Sequence, residues 1–113
     1  MEIQERTFEF AIRIVMLCQY LDEKPGVKRI LFNQLLRSGT SVGANIEEAQ
    51  AGQSRADFLS KMSIASKEAR ETLYWLKLLE KAELIAGDRL QDLKQEADEI
   101  VRILTSIVKS TRD

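Results

Sequence analysis

Glu47, Glu48, Glu68 and Glu71 are available carboxylates in the middle of this chain, and Ser38, Ser41, Ser63 and Cys18 are its candidate nucleophiles. Paired carboxylates serve as acid and base or hold metal ions, and a hydroxyl or thiol attacks once a neighbouring base takes its proton. In helical bundles, a carboxylate-bridged di-metal centre takes further ligands from a Glu-x-x-His motif on each of two helices. The sequence has no histidine, which removes both that centre and any His-activated Ser or Cys. The four glutamates also project away from the apolar stripes of their helices, so a buried metal cage or acid–base pair is not expected. Cys18 lies among Val15, Leu17 and Leu21 and reads as a small buried hydrophobe. The sequence therefore points to no catalytic residue, no metal and no cofactor, and the chain reads as a non-enzyme.

The stretch RSGTSVGANIEEAQAG, residues 37–52, places Gly39, Gly43 and Gly52 in a run of helix formers. Glycine-rich runs cradle phosphates when a strand precedes them and a Lys follows, and neither condition is met here. The alternative is a helix trimmed for close approach, since each interior glycine costs about 1 kcal/mol relative to Ala and closer packing can offset that cost. Folding the second and third helices back about Gly52 pairs Ile46 with Phe58, Val42 with Met62, Gly39 with Ala65 and Leu35 with Ala69. Gly39 is expected against Ala65, small against small.

The elements that position these residues are marked by breaks and caps. Pro25-Gly26 separates a first helix from a second, and Ala51-Gly52-Gln53 ends the second. Ser54 with Asp57 forms a capping-box start for a third helix that runs to about Ala82. Gly87 then acts as breaker, with Asp88 as N-cap and Gln91 as its partner, and a fourth helix continues to near Ser110. Leu31, Leu35, Gly39, Val42, Ile46 and Ala49 recur at steps of four and three. The same steps recur at Phe58, Met62, Ala65, Ala69, Thr72, Leu76 and Leu79, and at Leu90, Leu93, Ala97, Ile100, Leu104 and Ile107. This spacing with short connections predicts an all-α, antiparallel up-down-up-down four-helix bundle, one domain over residues 1–113.

Several faces lie off these stripes. At about 100° per residue, Ile64, Glu71, Trp75 and Leu78 point away from the core of the third helix, so a lone chain is expected to leave the indole wet. On the first helix the apolar arc runs from Phe10, Ile14, Leu17 and Leu21 through Ala11, Val15 and Cys18 to Phe8 and Ile12. An arc that wide buries two sides, which points to self-association through Phe8, Ile12, Ile64, Trp75 and Leu78. Arg37, Ser41, Asn45 and Glu48 form a polar line on the second helix. It reads either as a solvated face or as a network in which Arg37 or Asn45 meets a carboxylate such as Glu48 or Glu71 from another helix or subunit. Lys67, Arg70, Tyr74, Lys77 and Lys81, with Ser63, form a basic stripe with an aromatic in it, a candidate surface for RNA or DNA. An ordinary exterior in which Lys67 pairs with Glu71 and Lys77 with Glu80 is the other reading. The fourth helix, with Asp88, Asp92, Glu96, Asp98 and Glu99, is expected to repel nucleic acid.

With 17 basic and 18 acidic residues the net charge is −1, which supplies no global attraction to nucleic acid or an anionic membrane. The most apolar window, AIRIVMLCQYL, is cut by Arg13 and Gln19 and is shorter than a membrane span. No basic start with an apolar h-region marks a secretory signal. A single cysteine and no signal point to the cytoplasm.

The run SVGANIEEAQAGQSRADFLSKMSIASKEARETLYWLKLL resembles the diagnostic segment of the bacterial four helix bundle protein family, also called S23 or 23S rRNA intervening sequence protein. Arg37, Ser41, Asn45, Ile46, Glu48, Ser54, Phe58, Leu59, Ile64, Ala65 and Glu71 carry the resemblance. Gly43 stands where many relatives have Pro, and Ala49 where many have Gly. The resemblance implies an up-and-down bundle, and members are similar to the accessory protein of diversity-generating retroelements, a barrel-like homopentamer that binds nucleic acid through a basic surface. It thus implies a ring-like homopentamer acting as an assembly or adaptor, with RNA, DNA or a protein as candidate partner. The near-neutral charge of this chain lacks the basic excess that such nucleic-acid binding draws on.

Overall fold

The breaks and stripes of the sequence resolve into four α-helices. The computed structural model describes residues 1–21 and 24–113, with α1 at Ile3–Leu21, α2 at Val27–Gln50, α3 at Arg55–Lys81 and α4 at Gly87–Arg112. The Leu21 side chain, which the sequence assigns to the apolar arc of the first helix, lies outside what is described.

The start of α3 follows its cap. Ser54 has extended backbone, and its Oγ accepts the Asp57 N–H at 3.0 Å, which satisfies one of the first-turn donors. The end of α3 has a different cause from the one the sequence suggested. Leu84 N–H bonds to Leu79 O and Glu83 N–H to Glu80 O, both at 3.0 Å, around Glu83 at φ 59°. This is a Schellman stop with a left-handed residue at its centre, and it lies four residues before Gly87. Ile85, buried after the stop, pins the turn to the core. α4 then begins at Gly87, with Ala86 in the cap position and no side-chain cap bond. The assignment of Asp88 as N-cap with Gln91 is thereby corrected: Asp88 sits in the first helical turn, where its charge still favours the positive end of the helix. At the far end of α4, Arg55 Nε donates to Thr111 O at 3.0 Å and so satisfies a last-turn carbonyl.

Each helix packs antiparallel on the next, and α1 returns to α4 by the thinnest of the four seams. The bundle measures 45 × 22 × 21 Å. Leu35, Val42, Ile46, Met62, Leu76, Leu79, Leu90 and Leu104 are fully buried, at about 1.5–3 kcal/mol each for a side chain of that size. The stripes fray at their ends, where Leu31, Phe58 and Ile107 are only half-buried; Phe32, next to Leu31, takes the core position instead.

The trimmed strip of α2 lies against a neighbour other than the expected one. A Cβ built on Gly39 would meet Ile14 Cγ2 at 2.9 Å and Cγ1 at 3.0 Å, and one on Gly43 would meet the Thr7 carbonyl oxygen at 3.3 Å. Close approach is the correct reading of the glycines, but α1 is the helix that approaches, with Ile14 rather than Ala65 nearest Gly39. The reason is bulk: Ala65 and Ala69 already leave room on the α3 side, whereas α1 presents a β-branched Ile and its own backbone. On the α2–α3 seam the buried hydroxyls of Ser38 and Thr72 share a 2.9 Å hydrogen bond.

Candidate functional site

The polar line of α2 closes mostly within one chain. Arg37 Nη2 meets Glu71, Nη1 reaches Glu68 Oε2 at 3.2 Å, and Nε donates to Gln34 Oε1 at 3.3 Å. The same Glu71 oxygen accepts the Trp75 indole N–H at 2.9 Å. Asn45 turns back on its own helix, donating to Ser41 O at 2.9 Å and to Ser41 Oγ at 3.1 Å. Glu48 is separate from this group and meets Lys61 at 3.3 Å. Of the five residues in the sequence-derived network, Arg37 and Glu71 are joined, Ser41 and Asn45 are joined, and Glu48 stands apart. Of the carboxylates singled out for chemistry, Glu48, Glu68 and Glu71 are thus occupied by cations and an indole. Among the described residues no three Cys, Asp or Glu side chains gather as a metal cage requires.

This geometry corrects the expectation for Trp75. The indole is half-buried and packs against the core within one protomer, with its N–H held by Glu71 one turn earlier on α3. Leu78 is also half-buried. Phe8 is 61% exposed, Ile12 40%, Met16 63% and Ile64 38%. Phe8, Ile12, Val15 and Met16 make an outward apolar ridge on α1 at steps of four, three and one. Beside it runs a groove of about 300 Å³ lined by Phe8, Ala11, Thr40, Gly43, Ala44 and Glu47. Val15 and Met16 complete a ridge that sequence reading began at Phe8 and Ile12. Val15 lies inside the wide apolar arc read from the sequence, whereas Met16 lies outside it; its place four residues after Ile12 is the signal that adds it.

The basic stripe of α3 is freer than its composition suggested. Glu71 is held by Arg37 and Glu80 by Lys94, so the pairs Lys67–Glu71 and Lys77–Glu80 do not form. Lys67 and Lys77 are in no ion pair among the described residues. Tyr74 is 58% exposed and stands edge-on to Trp75, ring centres 5.1 Å apart. Arg70 Nη2 donates to Thr105 Oγ1 at 2.8 Å, which joins the stripe to α4. Arg102, Lys109 and Arg112 lie three, four and seven residues from Thr105 and share its face. The acidic residues of α4 stand on more than one flank: Asp98 shares the Thr105 face and pairs with Arg102 at 3.0 Å. Glu96 and Glu99 turn to α1, where Arg6 donates Nε to Glu96 Oε2 at 2.7 Å and Nη2 to Glu99 Oε1 at 2.6 Å. These bonds raise the pKa of Arg6 and hold the Glu96 carboxyl below its ordinary range. The cations Arg102, Lys109 and Arg112 were missed because the helix was judged by its total charge; their spacing was the available signal.

No described helix is long and apolar enough to cross a membrane. Among solved structures, a protein of unknown function of the S23 ribosomal protein family from Bacteroides thetaiotaomicron VPI-5482 superposes with a TM-score of 0.86. It is 45% identical in sequence, over 96% of this chain and 99% of that one. No curated protein matches. The sequence model of the 23S rRNA-intervening sequence protein family matches residues 1–106. The bundle, the residues that build its seams and this match over nearly the whole length agree: the chain belongs to the 23S rRNA-intervening sequence protein family.

Proposed function

We propose that this chain is a non-catalytic subunit that self-assembles into a ring-like homopentamer and serves in the cytoplasm as an assembly or adaptor module. The observation that carries this reading is the outward apolar ridge of α1, Phe8 through Met16, beside an apolar groove. An isolated protomer leaves that ridge in water, at a cost of about 25 cal/mol for each Å² of apolar surface. Ile64 supplies a second apolar point on a different face, and two unlike faces suit the head-to-tail contacts of a ring. The subunit number of five comes from the family resemblance. A single buried thiol suits a reducing compartment. The test is the mass of a Phe8→Asp, Ile12→Asp double variant beside the wild type. A fall from assembled to single-protomer mass with unchanged helical circular dichroism is expected; an unchanged mass counts against the reading.

A second reading is favoured by the Arg70–Thr105 bond, which merges the α3 stripe with the cations of α4 into one surface. On this reading Lys67, Arg70, Lys77 and Lys81 hold the phosphates of RNA or DNA and Tyr74 stacks on a base. Binding that persists without dependence on salt would contradict it.

A further inference from the structure

Two outward surfaces of one protomer carry opposite charges around an exposed apolar residue, and they stand within about one helical turn of each other in height. The first is the end of the α1–α2 groove, where Phe8 lies beside Ala44 with Glu47 in the lining and Glu5 one turn earlier on α1. The second is on α3, where Ile64 has Lys61 three residues before it and Lys67 three after it. Glu5, Glu47 and Lys67 are in no ion pair among the described residues, and Lys61 holds Glu48 at 3.3 Å while partly exposed.

Contacts across the seams fix the heights. Gly43 lies beside Thr7 and Gly39 beside Ile14, and the two helices run antiparallel, so Phe8 is level with residues 42 to 45 of α2. On the other antiparallel seam Glu48 meets Lys61 and Ser38 meets Thr72, so residues 42 to 45 are level with residues 64 to 68 of α3. A helix rises about 1.5 Å per residue, and Ile64 therefore stands within about one helical turn of the level of Phe8.

A two-fold contact through Phe8 would bring the acidic surround of one copy toward the same surround on another. A head-to-tail contact matches acid to base and leaves each copy one unused face of each kind. Head-to-tail contacts close into a ring when successive copies do not climb, and otherwise form a filament. Faces this close in height climb little about an axis parallel to the helices.

Resting on the self-assembly proposed above, we infer that each copy seats its Lys61–Ile64–Lys67 face on the Glu5–Phe8–Glu47 end of the groove of the next copy, with Phe8 against Ile64. The ligand of this surface is thus a second copy of the chain.

The test uses two differently tagged chains, Phe8→Cys and Ile64→Cys, each also carrying Cys18→Ala, mixed and then oxidised. A disulfide between unlike chains in the mixture is expected, with none in either chain alone. A Phe8→Cys chain that cross-links to itself overturns the contact, as does a mixture of assembled mass with no unlike pair. Self-assembly survives both of those outcomes. A wild type that weighs one protomer overturns self-assembly and this contact together. Charge exchange supplies a second route that needs no thiol. Lys61→Glu with Lys67→Glu is expected to lower the assembled fraction at least tenfold, and mixing with Glu5→Lys, Glu47→Lys chains is expected to restore unlike pairs. An unchanged assembled fraction in the Lys61→Glu, Lys67→Glu chain overturns the contact.

Discussion

Ile14 Cγ2 lies 2.9 Å from the point where a Cβ on Gly39 would stand, so α1 occupies the space that a side chain would need. Gly39→Ala gains about 1 kcal/mol of helix propensity but pushes on a fully buried Ile, at about 1–3 kcal/mol for overpacking. The expected net effect is a loss of about 1 kcal/mol. At Gly43 the nearest atom is the Thr7 carbonyl oxygen at 3.3 Å, which needs a shift of only a few tenths of an ångström, and Gly43→Ala is expected to be neutral within about 0.5 kcal/mol. Urea unfolding of both variants checks this; equal effects would contradict the unequal approach of α1.

The α3–α4 turn supplies a stabilising change. Glu83 holds φ 59°, a conformation that costs a residue with a Cβ about 1–2 kcal/mol and costs glycine nothing. Glu83→Gly is expected to stabilise the chain by about 1 kcal/mol, seen as a higher melting temperature. A lower one would show that the side chain supports the turn.

The sequence disclosed the seams more fully than the partners across them. The steps of four and three located the buried side of α2, α3 and α4 because a packed helix must repeat its apolar residues at that period. They could not tell which neighbour Gly39 faces, since its buried side borders both α1 and α3. The Schellman stop was hidden because its central residue is Glu83 rather than glycine. The network was half legible: the spacing placed Arg37 and Asn45 on one line, but it could not show that Asn45 turns to Ser41 on its own helix, or that Glu71 accepts from Trp75 on its own helix while it reaches Arg37 across the seam.

The seam between α1 and α4 gives a pH dependence. Hydrogen bonds from Arg6 hold the Glu96 carboxyl below its ordinary value of 4.5. A depressed carboxyl contributes stability above its unfolded pKa and loses it as pH falls through the folded value. Glu96→Gln is therefore expected to cost about 1–2 kcal/mol at pH 7, with the gap to wild type closing below about pH 4.5. Thermal melts at pH 7 and pH 3 measure it; a gap that does not change with pH would contradict the charged pairing.

If the α3–α4 surface binds nucleic acid, Lys109→Glu on α4 should weaken binding as Lys67→Glu and Lys77→Glu on α3 do. Each is expected to lower the slope of log affinity against log salt by about one. Fluorescence anisotropy with single-stranded RNA at several salt concentrations reads this, and an unaffected Lys109→Glu would confine any binding to α3.

Self-association is the central claim, and native mass spectrometry of the wild-type chain tests it most directly. The account predicts a dominant particle of five protomers, each 12.9 kDa. A single species of 12.9 kDa at high concentration, folded and helical, would contradict it.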